Sequence, residues 1–199
     1  MHNGSIAHFD KIKREVLLAI SDEALQQVKG TTDSEHFAAL FFTYLDKNRR
    51  GRAWMTSQPL SDAKCAFEGA ITRILEIQNQ VMGRAGAQVE ASSLNCVVTD
   101  GTQLLAIRFR NHSTEHPPSL YLSTRAGATL NRKYPGHPNH VEESGQGDLG
   151  DESEHGEHVI VASEPTTYKE KEWELIGKNE CVMVGVNMVL SQVSLDIPL

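Results

Sequence analysis

Cysteine is scarce in this chain: three residues, at positions 65, 96 and 181, with no CxxC pair. Their odd number and wide spacing argue against a disulfide framework and against a zinc site built from thiolates. Such usage is typical of a reducing compartment, so we expect a cytoplasmic protein. No cysteine has a basic neighbour placed to activate it, and we predict buried, inert thiols at Cys65, Cys96 and Cys181.

Long hydrophobic runs and a basic excess are also missing. No stretch approaches the ~20 apolar residues that a transmembrane helix needs, and the first residues lack the features of a signal peptide. The net charge is −7, from 19 Lys and Arg against 26 Asp and Glu. This balance disfavours binding to nucleic acid or anionic lipid, so we predict no nucleic-acid partner and no membrane partner.

The acidic excess belongs to one segment. Seven acidic residues lie between Glu142 and Glu157, and the remainder of the chain is neutral. This region has little apolar periodicity. We therefore predict a mobile acidic loop at 136–157.

Four histidines in or next to this segment could bind a metal ion. His137 with His140, and His155 with His158, form two HxxH pairs among carboxylates. They could hold a borderline metal if they folded together. No helix is predicted to fix them, so the pattern favours a solvated loop. We predict no metal site and no cofactor.

The order of the elements predicts an α+β fold. Apolar residues at three- and four-residue steps predict a helix over 9–28, ended by Gly30, and two more over about 34–45 and 61–82. Strands are predicted from alternating or apolar runs, the first two joined by a hairpin at Asp100-Gly101. They cover 94–99, 104–110, 119–123, 158–163, 173–176 and 181–193. Helices followed by antiparallel strands indicate a layered protein rather than alternating βαβ units.

Two short segments are candidate binding sites. His2-Asn3-Gly4 is predicted to be a polar turn, so the sheet would lack N-terminal partner strands. There the Asn3 amide and the Gly4 N–H can point two donors at one spot, as an oxyanion hole requires; the alternative is a flexible tail.

The second candidate segment surrounds Asp33. Helix capping by Asp33 or Ser34 is the stronger interpretation, although a carboxylate at such a position could also bind an α-amino group. The basic run at 49–52 is more typical of a solvated loop than of a phosphate site.

Taken in order, these segments resemble the class II glutamine amidotransferases. The resemblance begins at His2-Asn3-Gly4-Ser5-Ile6 and continues at Gly30-Thr31-Thr32-Asp33-Ser34-Glu35 before an aromatic helix. Further segments at 97–101, 118–121, 161–165 and Trp173 look like the branch of small stand-alone members. That branch includes the fungal amidotransferase-like subunit of the cytosolic glutathione-degradation complex. The resemblance covers most of the chain outside the acidic loop.

The resemblance implies a fold, a reaction and a partner. The family fold is the N-terminal-nucleophile hydrolase αββα sandwich of antiparallel sheets, of which residues 1–199 would form a partial domain, incomplete at the N-terminus. The reaction would cleave a γ-glutamyl amide of glutamine or glutathione. Asn3 and Gly4 would hold the oxyanion, and Asp33, with Thr32 beside it, would bind the substrate. A peptidase-type subunit of a glutathione-degradation complex would be the partner.

One departure from the family pattern limits this expectation. The family nucleophile is an N-terminal cysteine whose α-amino group acts as the base, whereas here Met1 precedes His2 and no cysteine occurs before Cys65. The family's carboxylate-binding arginine, upstream of its HNG motif, has no counterpart either. We therefore expect the C-terminal portion of an amidohydrolase, inactive alone, as a truncated form or a degenerate homologue. The alternatives are a non-catalytic, partner-binding scaffold and a metal-binding module.

Overall fold

The computed structural model describes residues 1–46, 53–127 and 158–198. The chain divides into two compact units. The first comprises residues 1–118 and 178–199, and the second residues 119–177. The predicted acidic loop at 136–157 and the basic run at 49–52 lie outside the described residues.

Four α-helices of the described residues lie in the first unit. They are α1 (Phe9–Ala19), α2 (Asp22–Leu25), α3 (Asp33–Leu45) and α4 (Leu60–Arg84), with a short 3-10 helix at Ala53–Met55. A second 3-10 helix, Glu170–Glu172, lies in the second unit. The longest, α4, packs against α1, α3 and the sheet. Its apolar stripe, which includes Phe67, Ile71 and Ile74, is buried in the core. The helix predicted over 61–82 is confirmed.

Eight strands are described, all paired antiparallel. They are β1 (His2–Ser5), β2 (Ser93–Thr99), β3 (Leu104–Arg110), β4 (Tyr121–Ser123), β5 (Ile160–Ala162), β6 (Glu174–Leu175), β7 (Glu180–Val184) and β8 (Leu190–Ser194). The first unit holds a five-stranded sheet in the order β1-β2-β3-β7-β8. Side chains on one face of its central strands, among them Leu94, Leu105 and Phe109, are fully buried and join the helices in one core.

The prediction of one helix over 9–28 is wrong. Ile20 is extended, and the Ser21 side chain caps α2 by accepting a hydrogen bond from the Ala24 N–H at 3.3 Å. The Ser21 N–H donates to Oγ1 of Thr43, which ties the break to α3. Ser21 could not be recognised as a cap from the sequence, because apolar residues recur at helical spacing on both sides of it. The second helix ends at Leu25 and not at Gly30.

The prediction of an N-terminal turn is also wrong. Residues 2–5 form β1, which pairs with β2 in the register His2↔Cys96 to Ser5↔Ser93. The expectation of a sheet without an N-terminal partner strand fails for the same reason. The sequence of β1, three polar residues and a glycine, has no local strand pattern. It becomes a strand by pairing with β2, which lies about 90 residues away in the chain.

The predicted strand over 181–193 is two strands. β7 and β8 pair from Glu180↔Ser194 to Val184↔Leu190, and the Gly185 N–H donates to the Val189 carbonyl at 3.0 Å to close the hairpin. The hairpin predicted at Asp100-Gly101 is confirmed, with Thr99 paired to Leu104. The turn between β7 and β8 was not predicted, because the loop that joins these strands, residues 185–189, is mostly apolar.

The second unit contains a three-stranded sheet in the order β5-β4-β6. The strands predicted over 119–123, 158–163 and 173–176 are confirmed as β4, β5 and β6, each with shorter bounds. Leu120, Leu122 and Ile176 are among the buried apolar side chains of this unit, and the Ile176 N–H donates to the Leu120 carbonyl at 3.0 Å.

The prediction for the cysteines holds for two of three. Cys96 and Cys181 are buried, and burial raises the pKa of their thiols to about 12 and about 11. Cys65 is exposed on α4, so its predicted burial is wrong. Within the described ranges, no helix has the length and hydropathy needed to cross a membrane.

Candidate functional site

Asn3 and Gly4 lie on β1, at one edge of the five-stranded sheet, and both are exposed. Met1 and Val97 exchange two hydrogen bonds, of 2.8 and 2.9 Å. Because hydrogen-bonded and non-bonded pairs alternate along an antiparallel ladder, the Gly4↔Leu94 pair is a non-bonded one. The Gly4 N–H therefore points away from β2, toward the outer edge, where it can donate to a ligand.

Gly4 cannot be replaced without moving the backbone. Its φ is +144°, a region that L side chains rarely adopt. A Cβ atom built there would lie 2.1 Å from the Ser93 carbonyl oxygen. The glycine is therefore required by the close approach of β1 to β2.

Thr32 caps α3, in place of the predicted Asp33 or Ser34. Its Oγ1 accepts a hydrogen bond from the Glu35 N–H at 3.3 Å. The Glu35 carboxylate in turn accepts from the N–H groups of Gly30 and Lys29, at 2.9 and 3.2 Å, and these bonds lower its pKa. This arrangement resembles a capping box and fixes the chain entering α3.

Asp33 joins α3 to the segment that follows β1. Its Oδ2 accepts a hydrogen bond from the Ile6 N–H at 3.0 Å, and its Oδ1 accepts from the Ser34 N–H at 2.8 Å. Each carboxylate oxygen has two acceptor sites, and Oδ1 also lies 3.4 Å from Oγ of Ser34, so Oδ2 is the oxygen that can accept a further donor. The structure thus places the segment that carries Asn3 and Gly4 next to the Asp33 carboxylate.

A second link joins the same two elements. Nδ1 of His2 lies 2.7 Å from Oγ of Ser34. Partial burial lowers the pKa of His2, with the nearby Asp33 charge acting in the opposite direction. His2 is therefore neutral at physiological pH. No pattern in the sequence pairs His2 with Ser34.

A buried polar cluster, formed by Gln78, Ser92 and Asn111, holds the turn after β1. Nε2 of Gln78 donates to the Ala7 carbonyl at 2.7 Å and to Oγ of Ser92 at 2.9 Å. The Ala7 N–H donates to the same Oγ, and the Ser92 N–H donates to Oδ1 of Asn111 at 2.6 Å. The one available signal in the sequence was a glutamine within the apolar stripe of the third predicted helix.

An aromatic cavity of about 380 Å³ lies beside His2 and Ser34. Cys96, opposite His2 on β2, also lines it, but its raised pKa keeps that thiol protonated. The other lining residues are mostly apolar: Met1, Glu35, Phe37, Ala38, Phe41, Phe42, Phe67, Val97 and Val98.

No group of three metal-binding side chains occurs in the described ranges. Of the four histidines in the HxxH pairs, His158 alone is described, and its Nε2 accepts a hydrogen bond from the Gly127 N–H at 2.9 Å. The other three lie outside the described residues, as does the basic run.

Two known proteins are similar to this chain. The chain is 30% identical, over 98% of its length, to the protein named "Probable glutamine amidotransferase DUG3" of Saccharomyces cerevisiae, and it spans about half of that protein (52%). The structure matches that of a glutamine aminotransferase class-II domain protein from Silicibacter pomeroyi with a TM-score of 0.59. That match has 20% identity and covers all of this chain and 67% of the other. No protein-family model matches the chain. The resemblance to the class II glutamine amidotransferases inferred from the sequence is confirmed.

Proposed function

We propose that this relative of the class II glutamine amidotransferases provides the substrate-holding part of an amidohydrolase site for γ-glutamyl amides, of glutamine or glutathione. The Asn3 amide and the Gly4 N–H would stabilise the oxyanion that develops at the γ-carbonyl. Asp33, positioned by Thr32, would bind the substrate's α-amino group. In this proposal, the α+β fold of the chain is the N-terminal-nucleophile hydrolase sandwich.

The hydrogen bond between Asp33 and Ile6 supports this assignment most strongly. It holds a partly buried carboxylate two residues beyond the outward-pointing Gly4 N–H. A γ-glutamyl ligand carries an ammonium group at one end and the reacting carbonyl at the other. An anionic acceptor and a backbone donor on adjoining segments match those two ends.

We further propose that these 199 residues do not hydrolyse the amide by themselves. Two of their cysteines are buried and protonated, and the exposed Cys65 lies on α4, not on the strand that carries Asn3. Oxyanion donors without an activated nucleophile leave only a small fraction of the normal rate. The chain would then act with a peptidase-type partner in the cytoplasm, or as a non-catalytic, partner-binding scaffold.

Ligand binding and turnover test the two parts of this proposal separately. Isothermal titration and amide chemical shifts would report binding of glutamate, glutamine and glutathione to the chain. Asp33→Asn should weaken binding tenfold to a hundredfold, because a charged hydrogen bond contributes roughly 1.5–3 kcal/mol. Asp10→Asn, which removes an exposed carboxylate from the first turn of α1, is the matched control and should change nothing.

Each readout has a result that would overturn its part. Equal loss of affinity in both variants, or no binding by the wild-type chain, would refute the role of Asp33. Release of glutamate from glutamine or glutathione by the 199-residue chain would refute its inactivity.

A further inference from the structure

We propose that Ser34 and His2 form a nucleophile–base pair that cleaves small, apolar, uncharged esters in the aromatic cavity beside them. This activity is independent of the γ-glutamyl chemistry proposed above. It uses a hydroxyl group rather than a thiol, and it needs no residue outside the first unit.

The geometry of the pair is that of an activated serine. Nδ1 of His2 is 2.7 Å from Oγ of Ser34, within the reach required of a general base. The competing acceptor, Oδ1 of Asp33, is 3.4 Å from the same Oγ. The imidazole is thus the better acceptor for the hydroxyl proton when the ring carries its own proton on Nε2.

The His2 ring is uncharged at neutral pH. Burial lowers the pKa of His2, so the ring is unprotonated and able to accept a proton. The charged and titratable groups that face it are Asp33, the Met1 ammonium group, Cys96 on β2 and Glu35 across the cavity. The Asp33 carboxylate would stabilise the imidazolium that forms during the reaction.

The cavity selects the acyl group. At about 380 Å³ it holds a small acyl chain or one aromatic ring. Its walls include the rings of Phe37, Phe41 and Phe42. Glu35 is the acidic residue of the lining, so an anionic acyl group would be repelled.

The reaction balances without a cofactor. The Ser34 oxygen bonds to the ester carbonyl carbon while its proton passes to Nδ1 of His2. The ester C–O bond then breaks, and the leaving alkoxide takes the proton from His2. The alcohol leaves at this point. A water molecule then attacks the acyl-serine carbonyl and gives its proton to His2, which passes it to the Ser34 oxygen as the acyl C–O bond breaks, so the carboxylic acid is released and the Ser34 hydroxyl is restored.

A fluorophosphonate probe and p-nitrophenyl butyrate test the proposal on the full chain. Peptide mass spectrometry should find the probe on Ser34. Labelling and esterase rates should fall about a hundredfold in both Ser34→Ala and His2→Gln. In the wild-type chain both rates should fall as His2 becomes protonated at acidic pH.

Ser61→Ala is the matched control. Ser61 is exposed and occupies the second position of α4, as Ser34 does of α3. Its substitution should leave both rates unchanged, and circular dichroism should show that all three variants are folded. Labelling spread evenly over serines, or rates that persist in folded Ser34→Ala, would overturn the proposal. Loss of γ-glutamyl binding in Asp33→Asn is a separate readout and does not bear on this result.

Discussion

Replacing Gly4 with alanine should separate β1 from β2. The new Cβ would lie 2.1 Å from the Ser93 carbonyl oxygen, and real Cβ atoms essentially never come closer than 3.0 Å, so the two strands must part by about 0.9 Å. Alanine at a φ of +144° adds backbone strain of about 1–3 kcal/mol. Because the clash is with backbone, rotation of a side chain cannot relieve it. We expect a total loss of about 3 kcal/mol or more in the free energy of unfolding.

Urea denaturation and amide exchange measure this effect at two levels. The unfolding midpoint should fall at an unchanged m-value if the folded state is merely destabilised. The Val97 amide, which donates to the Met1 carbonyl at 2.9 Å, should exchange faster, while amides in the middle of α4 keep their protection relative to global stability.

Alanine substitutions at two other glycines measure the backbone strain without the steric clash. Gly86 and Gly101 also have positive φ, +63° and +93°, but an added Cβ meets nothing within 4 Å at either. Alanine at Gly86 should cost only about 1–2 kcal/mol, the price of the left-handed conformation. If Gly4→Ala costs no more than Gly86→Ala, the close approach of β1 to Ser93 is not the reason for the glycine.

Two further experiments probe buried groups, one by substitution and one by thiol labelling. Gln78→Leu should destabilise the chain by about 1–3 kcal/mol in urea, because it leaves the Ala7 carbonyl without its buried donor and leaves Oγ of Ser92 with the Ala7 N–H alone. Gln80→Leu, on the exposed face of α4, should change stability by less than about 0.5 kcal/mol. A thiol reagent at pH 8 should modify Cys65 rapidly in the folded chain and Cys96 and Cys181 only after unfolding, since these two are buried with raised pKa values; rapid native-state modification of Cys96 would contradict its placement.

Long, periodic elements were predictable from the sequence, and elements defined by distant partners were not. The stripe of α4 and the Asp100-Gly101 hairpin each depend on residues close together in the chain. β1 has no such local signal, since its pairing with β2 is what makes it a strand. Ser21 is the opposite case. Its cap is a local feature, but the apolar residues on either side of it recur at helical spacing without a break and predict one continuous helix.

Motif order predicts Asn3, Gly4 and Asp33 as site residues, but it does not predict how their segments are connected. The structure places those segments side by side through the hydrogen bond from the Ile6 N–H to Asp33. The His2–Ser34 contact and the Gln78 bridge could not be inferred, because a single polar residue on a predicted helix or strand does not reveal its partner. Thr32 was assigned to substrate binding, and the structure shows that its hydroxyl caps α3.

The hydrogen bonds that join β1 and its following turn to the rest of the first unit connect residues 27, 32, 71 and 85 positions apart. Ordering contacts of such sequence separation costs loop-closure entropy, which burial of the core must offset. β1 and the Asp33 carboxylate therefore acquire their geometry together with the core, not before it. A ligand that bridges them would bind the folded state alone, and its binding energy would appear directly as added stability of the whole unit.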